Sequence, residues 1–485
     1  MKPSLEALEA LAHRAHGGGR PVPPRDLETL RARYATLDDS LGQRTLAVLF
    51  AEVSTHVHTD KSQSTLRSGW TEPPLALRGE SPLREHSHES VLVCERELGR
   101  RKAVSALVNA RAKDLFSLAR HALTSLRSAH EPLGLRDVSQ LLGALGLASD
   151  EPLSEGALAA TEGLWQELDP WALRESEVIE HSREYAAKSI TWTDRMRSLA
   201  QLRASDAVPL GDRAASCIRW VAQVGLGSTL ARIAERTERA SVDATGCTIT
   251  CENPGERVTV RGETAPTVDG ALSLGEAFGQ ALALAHAPSA GPESLRWGAD
   301  RVHTLVFAAL VRRLWTSPSF VTRACGVDAS QASRVGLAAL HAELLRVRRR
   351  AVDAQLVRGS LVGERAGIEQ WQQRTQRALG AAPDPAWAVH VAAHALDARA
   401  EAHTLATMIE PLVFEKLRAR YDEDFFRNPR AGEGLAVLLD AMRTQGALAW
   451  AKAECASEEN PAIGLTLQSA TLRRVTELYD TLSRR

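Results

Sequence analysis

The sequence predicts a mainly α-helical protein that contains one small β-hairpin. Most segments are rich in Ala, Leu, Arg and Glu, residues that favour helices. Apolar residues recur three and four positions apart, the spacing of one helical face, as in Leu115, Leu118, Ala119, Ala122, Leu123 and Leu126. The exception is 241–264, where β-branched residues flank the turn sequence Asn253-Pro254-Gly255. We therefore expect a hairpin there.

The chain is predicted to have two regions, with the boundary at the start of the hairpin. Residues 1–240 are expected to form an N-terminal helical region, with a long irregular segment at 59–87. Residues 241–485 are expected to form the second region. Along the chain, this region is predicted to contain the hairpin 241–264, central helices over 268–316 (one at 268–287, the next at 292–315), and C-terminal helices over 328–485.

Composition and charge disfavour several classes of partner. The 485 residues include 59 Lys and Arg against 60 Asp and Glu, so no excess positive charge is available for nucleic acid or anionic membrane. No uninterrupted apolar run reaches the roughly 18 residues of a membrane span, and the N-terminus does not resemble a secretory signal. The 6 cysteines are sparse, as is usual in a reducing compartment. A cytoplasmic protein is predicted.

Two central segments carry a family resemblance. They are 271–286, ALSLGEAFGQALALAH, and 295–310, LRWGADRVHTLVFAAL. Their order after the hairpin resembles that of zinc metallopeptidases of the oligopeptidase type, relatives of thimet oligopeptidase and oligoendopeptidase F. Segments 159–165 and 421–432 also resemble parts of bacterial members. The resemblance implies a large helical, two-lobed peptidase architecture with a small sheet before the central helix.

In that family, the central helix carries the motif LHExGHAxH, and an acidic residue on the next helix completes the zinc site. Two His side chains four residues apart share one helical face and bind zinc, and the Glu between them serves as general base. Laid on this chain, the two His positions fall on Gly275 and Gly279, and the base falls on Glu276. The third ligand falls on Thr304, or on Leu305 with a shift of one residue. The resemblance therefore implies a degenerate member without a zinc cofactor.

The remaining features of this helix have two interpretations. Gly275 and Gly279 could allow a neighbouring helix to approach closely, which is the interpretation we favour, or could leave a groove for a peptide. Glu276 by itself is more typical of a solvated helix position than of a catalytic one.

The basic run 346–350, outside the central helix, is interpreted as a solvated helix face.

A second candidate site lies later in the chain. His390 and His394 are four residues apart, and Glu401 and His403 follow them. Such a set could chelate a metal. Partly buried, hydrogen-bonded histidines explain the pattern more simply.

Taken together, the sequence favours an inactive metallopeptidase homologue that binds a peptide or protein. Its partner could be a second copy or a related active peptidase. The alternatives are a metal-dependent hydrolase that uses His390, His394 and His403, and a helical scaffold.

Overall fold

The protein is described here from a computed structural model. It describes residues 98–130, 153–175, 213–238, 246–263, 267–290, 296, 298, 300, 302–362, 367–381, 383, 387, 389, 399–422, 424–455 and 463–483. The predicted irregular segment 59–87, His390 and His394 lie outside these residues.

The described chain is mainly helical, as predicted. In chain order, its helices of at least eight residues are α1 (Leu98–His130), α2 (Leu153–Glu175), α3 (Arg213–Gln223), α4 (Val268–His286), α5 (Val302–Arg313), α6 (Pro318–Cys325), α7 (Ala329–Val362), α8 (Gly367–Leu379), α9 (Arg399–Tyr421), α10 (Ala431–Gln445), α11 (Ala447–Cys455) and α12 (Ile463–Ser483). Shorter helical turns lie at Gly227–Leu230, Leu314–Thr316 and Phe425–Arg427. No helix in the described part of the chain is long and apolar enough to cross a bilayer.

The predicted hairpin is present, within a larger sheet. Strands β2 (Gly246–Asn253) and β3 (Arg257–Glu263) pair in antiparallel fashion around the predicted turn. A further strand, β1 (Ile233–Glu238), pairs parallel to β3, so β3 is central in the order β1-β3-β2. The sequence did not predict β1. Since β1 precedes residue 240 and pairs across it, the sheet spans the predicted region boundary, which itself stays a prediction.

Helix α4 begins where the sequence predicted and ends one residue earlier. Thr267 caps its first turn, because the Thr267 hydroxyl accepts a hydrogen bond from the Gly270 N–H at 3.0 Å. At its other end, the Leu284 carbonyl accepts a hydrogen bond of 2.8 Å from the N–H of Gly255 in the hairpin turn. Gly255 has a φ of 82°, a left-handed conformation that favours glycine. The turn thus fixes the hairpin to the C-terminal end of α4.

Helix α5 begins later than predicted. The expected helix over 292–315 would include Gly298 and Asp300, but neither is helical, and α5 starts at Val302. Asp300 sets this start: its Oδ1 accepts hydrogen bonds from the N–H groups of Val302 and His303, at 2.9 and 3.3 Å. Its Oδ2 also accepts from the N–H of Ala447, at the start of α11. One buried carboxylate therefore orients two helices.

Two buried apolar clusters hold these elements together. The larger one joins the helices, with the 34-residue α7 packed against α2, α4, α8 and α9. The smaller one joins the sheet to one side of α4 through residues such as Val258, Val260, Leu274 and Phe278. Helix α4 is consequently enclosed by the sheet, by α5 and by α7.

Candidate functional site

The two glycines of α4 lie against α5 and the short helical turn that follows it. A Cβ atom built on Gly279 would lie 2.6 Å from the Ala308 Cα and closer still to the Phe307 carbonyl oxygen. A Cβ built on Gly275 would lie 3.2 Å from the Trp315 Nε1 and 3.3 Å from the Arg312 Cα. At Gly279 the two helices meet backbone to backbone, as the favoured interpretation of the glycines predicted, and at Gly275 the Trp315 side chain also packs into the contact. We call this contact the glycine seam. A groove at these positions is excluded, because α5 fills the space.

Thr304, the position implied for the third zinc ligand, is buried on α5. The α5 residues nearest to the two glycines are Phe307, Ala308 and Arg312, which follow Thr304 by one to two helical turns. Leu305, the shifted alternative, is partly buried against the helical core.

Glu276, directly after Gly275, is the centre of a cluster of charged side chains. Its Oε2 accepts hydrogen bonds from Arg312 at 2.9 Å and from Arg346 at 3.1 Å. Its Oε1 accepts one from the Nη2 of Arg350 at 2.8 Å, and the Nδ1 of His403 lies 3.7 Å from the same oxygen. These partners come from α5, α7 and α9. We call Glu276 and these four residues the Glu276 cluster.

Further acidic residues neutralise the inner side of this cluster. Arg346 donates to both the side chain and the backbone carbonyl of Asp269, and also to the Ser273 hydroxyl at 2.7 Å. Arg312, only 1% exposed, also pairs closely with Glu343. The neighbouring Arg313 pairs with the buried Glu410. Buried charges are stable only when they are paired in this way.

The pKa values follow from burial and from these partners. Burial would raise the pKa of Glu276, but Arg350, Arg312, His403 and Arg346 together hold it well below its usual value. Burial would lower the pKa of Arg312, but Glu343 and Glu276 raise it. The pKa of Arg350 is lowered, because its burial and the nearby Arg312 and Arg346 outweigh the attraction of Glu276. Glu276 is therefore ionised at neutral pH, with both oxygens already bound.

Two interpretations drawn from the sequence are wrong. Glu276 is not a solvated helix residue, because its side chain is 13% exposed and holds four partners. The run 346–350 is not a solvated face either. Arg346 and Arg350 reach Glu276, whereas Arg348, on another side of α7, is buried and donates to Glu162, Thr161 and the carbonyl of Ala378. The (i, i+4) spacing of Arg346 and Arg350 was the one signal that could have revealed a shared partner.

The second candidate site is described only in part. His403 lies on α9 beside Glu276 and is 18% exposed. His390 and His394 lie outside the described residues, so their role stays a prediction. Among the residues that the structure describes, no group of three or more His, Cys, Asp or Glu side chains is arranged to hold a metal ion.

Solved structures match the fold of this chain, whereas no known protein family matches its sequence. No family model and no curated protein matches the chain by sequence. A crystal structure assigned as oligoendopeptidase F of Bacillus anthracis strain Ames matches with a TM-score of 0.60 and 10% identity, over 99% of this chain and 86% of that one. A second oligoendopeptidase F structure matches with a TM-score of 0.61 and 11% identity, over 98% and 86% of the two chains.

A third solved structure, PZ peptidase A with an inhibitor, gives a TM-score of 0.58 at 11% identity, over 96% of this chain and 86% of that one. At such low identities, these likenesses establish the fold alone. The chain has the fold of the oligoendopeptidase F group of peptidases, as the sequence resemblance implied.

Proposed function

We propose that the protein is a catalytically inactive homologue of the oligopeptidase-type metallopeptidases and acts by binding a peptide or a protein. Gly275 and Gly279 stand where the resemblance places two zinc ligands, and glycine has no side chain to bind a metal. Thr304 stands in place of the acidic third ligand. These positions do not fit a zinc ion, so no hydrolytic step through zinc is derived for this chain.

The glycine seam is the observation that carries the proposal. A zinc site between α4 and α5 requires side chains and an ion between the two helices. At Gly279 the α5 backbone lies too close even for a Cβ atom. Restoring His there would force the helices apart, because backbone cannot move aside as the end of a flexible side chain can.

Glu276 supports the same conclusion from its chemistry. A general base must present a free lone pair to the proton that it removes, and its pKa must suit the working pH. Glu276 instead shares both oxygens among Arg312, Arg346 and Arg350, and its pKa is well below the usual range. Its role is to join α4 to three other helices.

Binding is the function that we propose in place of catalysis. The fold matches peptidases, one of them solved with an inhibitor, so a chain that retains this fold could retain a surface for peptides. The partner in this proposal is a peptide, a second copy of the chain or a related active peptidase. Neither nucleic acid nor a membrane is proposed, because the chain is nearly neutral.

The first test is the metal content and peptidase activity of the full chain, purified without chelator or added metal. We expect well below one zinc or other transition-metal ion per chain by mass spectrometry. With quenched fluorescent peptides we expect no hydrolysis, with or without added Zn²⁺, Co²⁺ or Mn²⁺. An active member of the fold group, assayed in parallel, is the positive control.

A stoichiometric metal ion together with chelator-sensitive hydrolysis would overturn the proposal. His390, His394 and His403 would then be substituted singly by Ala, because they are the alternative ligands. Loss of metal in these variants, and its retention in His341→Gln, would assign the metal to that set. His341 is a suitable control because it is buried elsewhere, between Trp165 and Asp169.

A further inference from the structure

The two oxygens of Glu276 have different surroundings. Oε2 faces Arg312 and Arg346, which are themselves paired with Glu343 and Asp269. Oε1 faces Arg350 and His403. The arginines at Oε2 thus have further acidic partners of their own, whereas Arg350 and His403 face Oε1. Exposure does not separate the two sides, since the side chains of Arg346, Arg350 and His403 are 17%, 20% and 18% exposed.

Arg346 and Arg350 differ in how fully their guanidinium groups are used. Arg346 donates from Nε and from both terminal nitrogens to four acceptor atoms. For Arg350, the one hydrogen bond within the described residues goes from Nη2 to Glu276. A guanidinium has five N–H donors in a planar fork that suits a carboxylate. Arg350 therefore brings four more donors to a partly exposed position.

We propose that Arg350, flanked by His403, binds a carboxylate group of a peptide ligand. The inference rests on the proposed function, since it names the chemistry by which a peptide would be held. A carboxylate suits this position better than a phosphate does, because Glu276 is adjacent and repels a doubly charged group more strongly. The carboxylate could be the C-terminus of the peptide or an Asp or Glu side chain.

The test uses two pools of random N-acetylated octapeptides, one with free C-terminal carboxylates and one with C-terminal amides. Each pool is incubated with the full-length protein, and the retained peptides are separated by ultrafiltration and identified by mass spectrometry. The variants are Arg350→Gln, which removes the charge, and Arg350→Lys, which keeps the charge next to Glu276 but loses the fork. Arg334→Gln, at an exposed position of the same helix, is the matched control.

We expect the wild-type protein to retain the carboxylate pool about tenfold better than the amide pool, the effect of a charge-assisted hydrogen bond. Arg350→Gln should abolish this preference, Arg350→Lys should keep part of it, and Arg334→Gln should keep all of it. If the amidated peptides that bind are those with Asp or Glu, and Arg350→Gln releases them, the same site binds a side-chain carboxylate.

The inference would be overturned if the wild type retained the two pools equally and Arg350→Gln retained as much of each pool as the wild type. The proposed peptide binding would then remain in place. Retention of no peptide from either pool would count against peptide binding itself, and against the inference with it. Circular dichroism and gel filtration of each variant establish that it is folded. Arg350→Lys provides a second comparison if Arg350→Gln fails to fold.

Discussion

The glycine seam and the Glu276 cluster lie on neighbouring sides of one helix, yet opposite requirements hold them together. At the Gly279 end of the seam, α4 and α5 touch through backbone, and even a Cβ atom is in the way. In the cluster, four side chains from three helices converge on one carboxylate, and each needs the others as counter-charges. Gly275 and Glu276 are adjacent in sequence but belong to these two different environments.

The glycine seam and the Glu276 cluster should respond differently to amino-acid substitution. A backbone contact cannot be redistributed, so the seam should tolerate almost no added volume at Gly279. A cluster of ion pairs tolerates a side chain of the same shape but depends on charge, so it should respond to the loss of a counter-charge rather than to added volume. The following predictions test this contrast.

Gly279→Ala should have the largest effect. The new methyl group would lie 2.6 Å from the Ala308 Cα, so α4 and α5 must separate. We expect the free energy of unfolding, measured by urea denaturation, to fall by about 3 kcal/mol or more.

Gly163→Ala is the matched control for that change. Gly163 also lies within a helix, α2, but a Cβ atom there meets nothing within 4 Å. The control should gain up to about 1 kcal/mol from helix propensity alone. If Gly279→Ala were as stable as Gly163→Ala, the close approach of α4 and α5 would be wrong.

Glu276→Gln should have the next largest effect. It keeps the shape of the side chain but leaves Arg350 without its acidic partner and weakens the pairing of Arg312 and Arg346. Loss of one partner of a buried ion pair typically costs about 3 kcal/mol. Asp424→Asn breaks the exposed pair with Arg427 and should change stability by less than about 0.5 kcal/mol. Equal losses in both variants would show that the Glu276 cluster is not buried.

The stabilising effect of Glu276 should also depend on pH. Its pKa in the folded protein is lower than in the unfolded chain, so its contribution is present at neutral pH and is lost as the pH falls through the folded pKa. The difference in unfolding free energy between the wild type and Glu276→Gln should therefore narrow on acidification below about pH 4. Urea titrations of the wild type and of Glu276→Gln at several pH values measure this difference in unfolding free energy. A difference that stays constant down to pH 2 would contradict the assigned pKa.

Gly275→Ala should have a smaller effect than Gly279→Ala or Glu276→Gln. Its Cβ would lie 3.2 to 3.4 Å from atoms of Trp315 and Arg312, so these neighbours need to move by only a few tenths of an ångström. The gain in helix propensity partly offsets this strain. We expect a change within about 1 kcal/mol of the wild type in either direction, measured by the same denaturation. A loss as large as that of Gly279→Ala would mean that the seam is equally tight along its whole length.

Local sequence patterns were enough to predict the main elements of the fold. The helical spacing of apolar residues indicated the helices, and the Asn253-Pro254-Gly255 turn located the hairpin. The predicted and observed starts of α4 agree, and Thr267 caps this first turn. Strand β1 was not predicted, because it is short and polar and because its paired residues in β3, such as Val258 for Ile233, lie 25 positions later in the chain. A parallel pair leaves no turn signal to recognise.

The sequence predicted the close helix contact at Gly275 and Gly279 but did not predict the Glu276 cluster. The (i, i+4) spacing of Gly275 and Gly279 is a local property of one helix, so the sequence by itself determined that another helix could approach there. Only the tertiary structure decided that α5 occupies that space and that the arginines of α7 turn inward to Glu276. The physical reason is that a charge run looks the same on a solvated face and on a buried one until distant helices, about 70 residues away in the chain, supply its counter-charges.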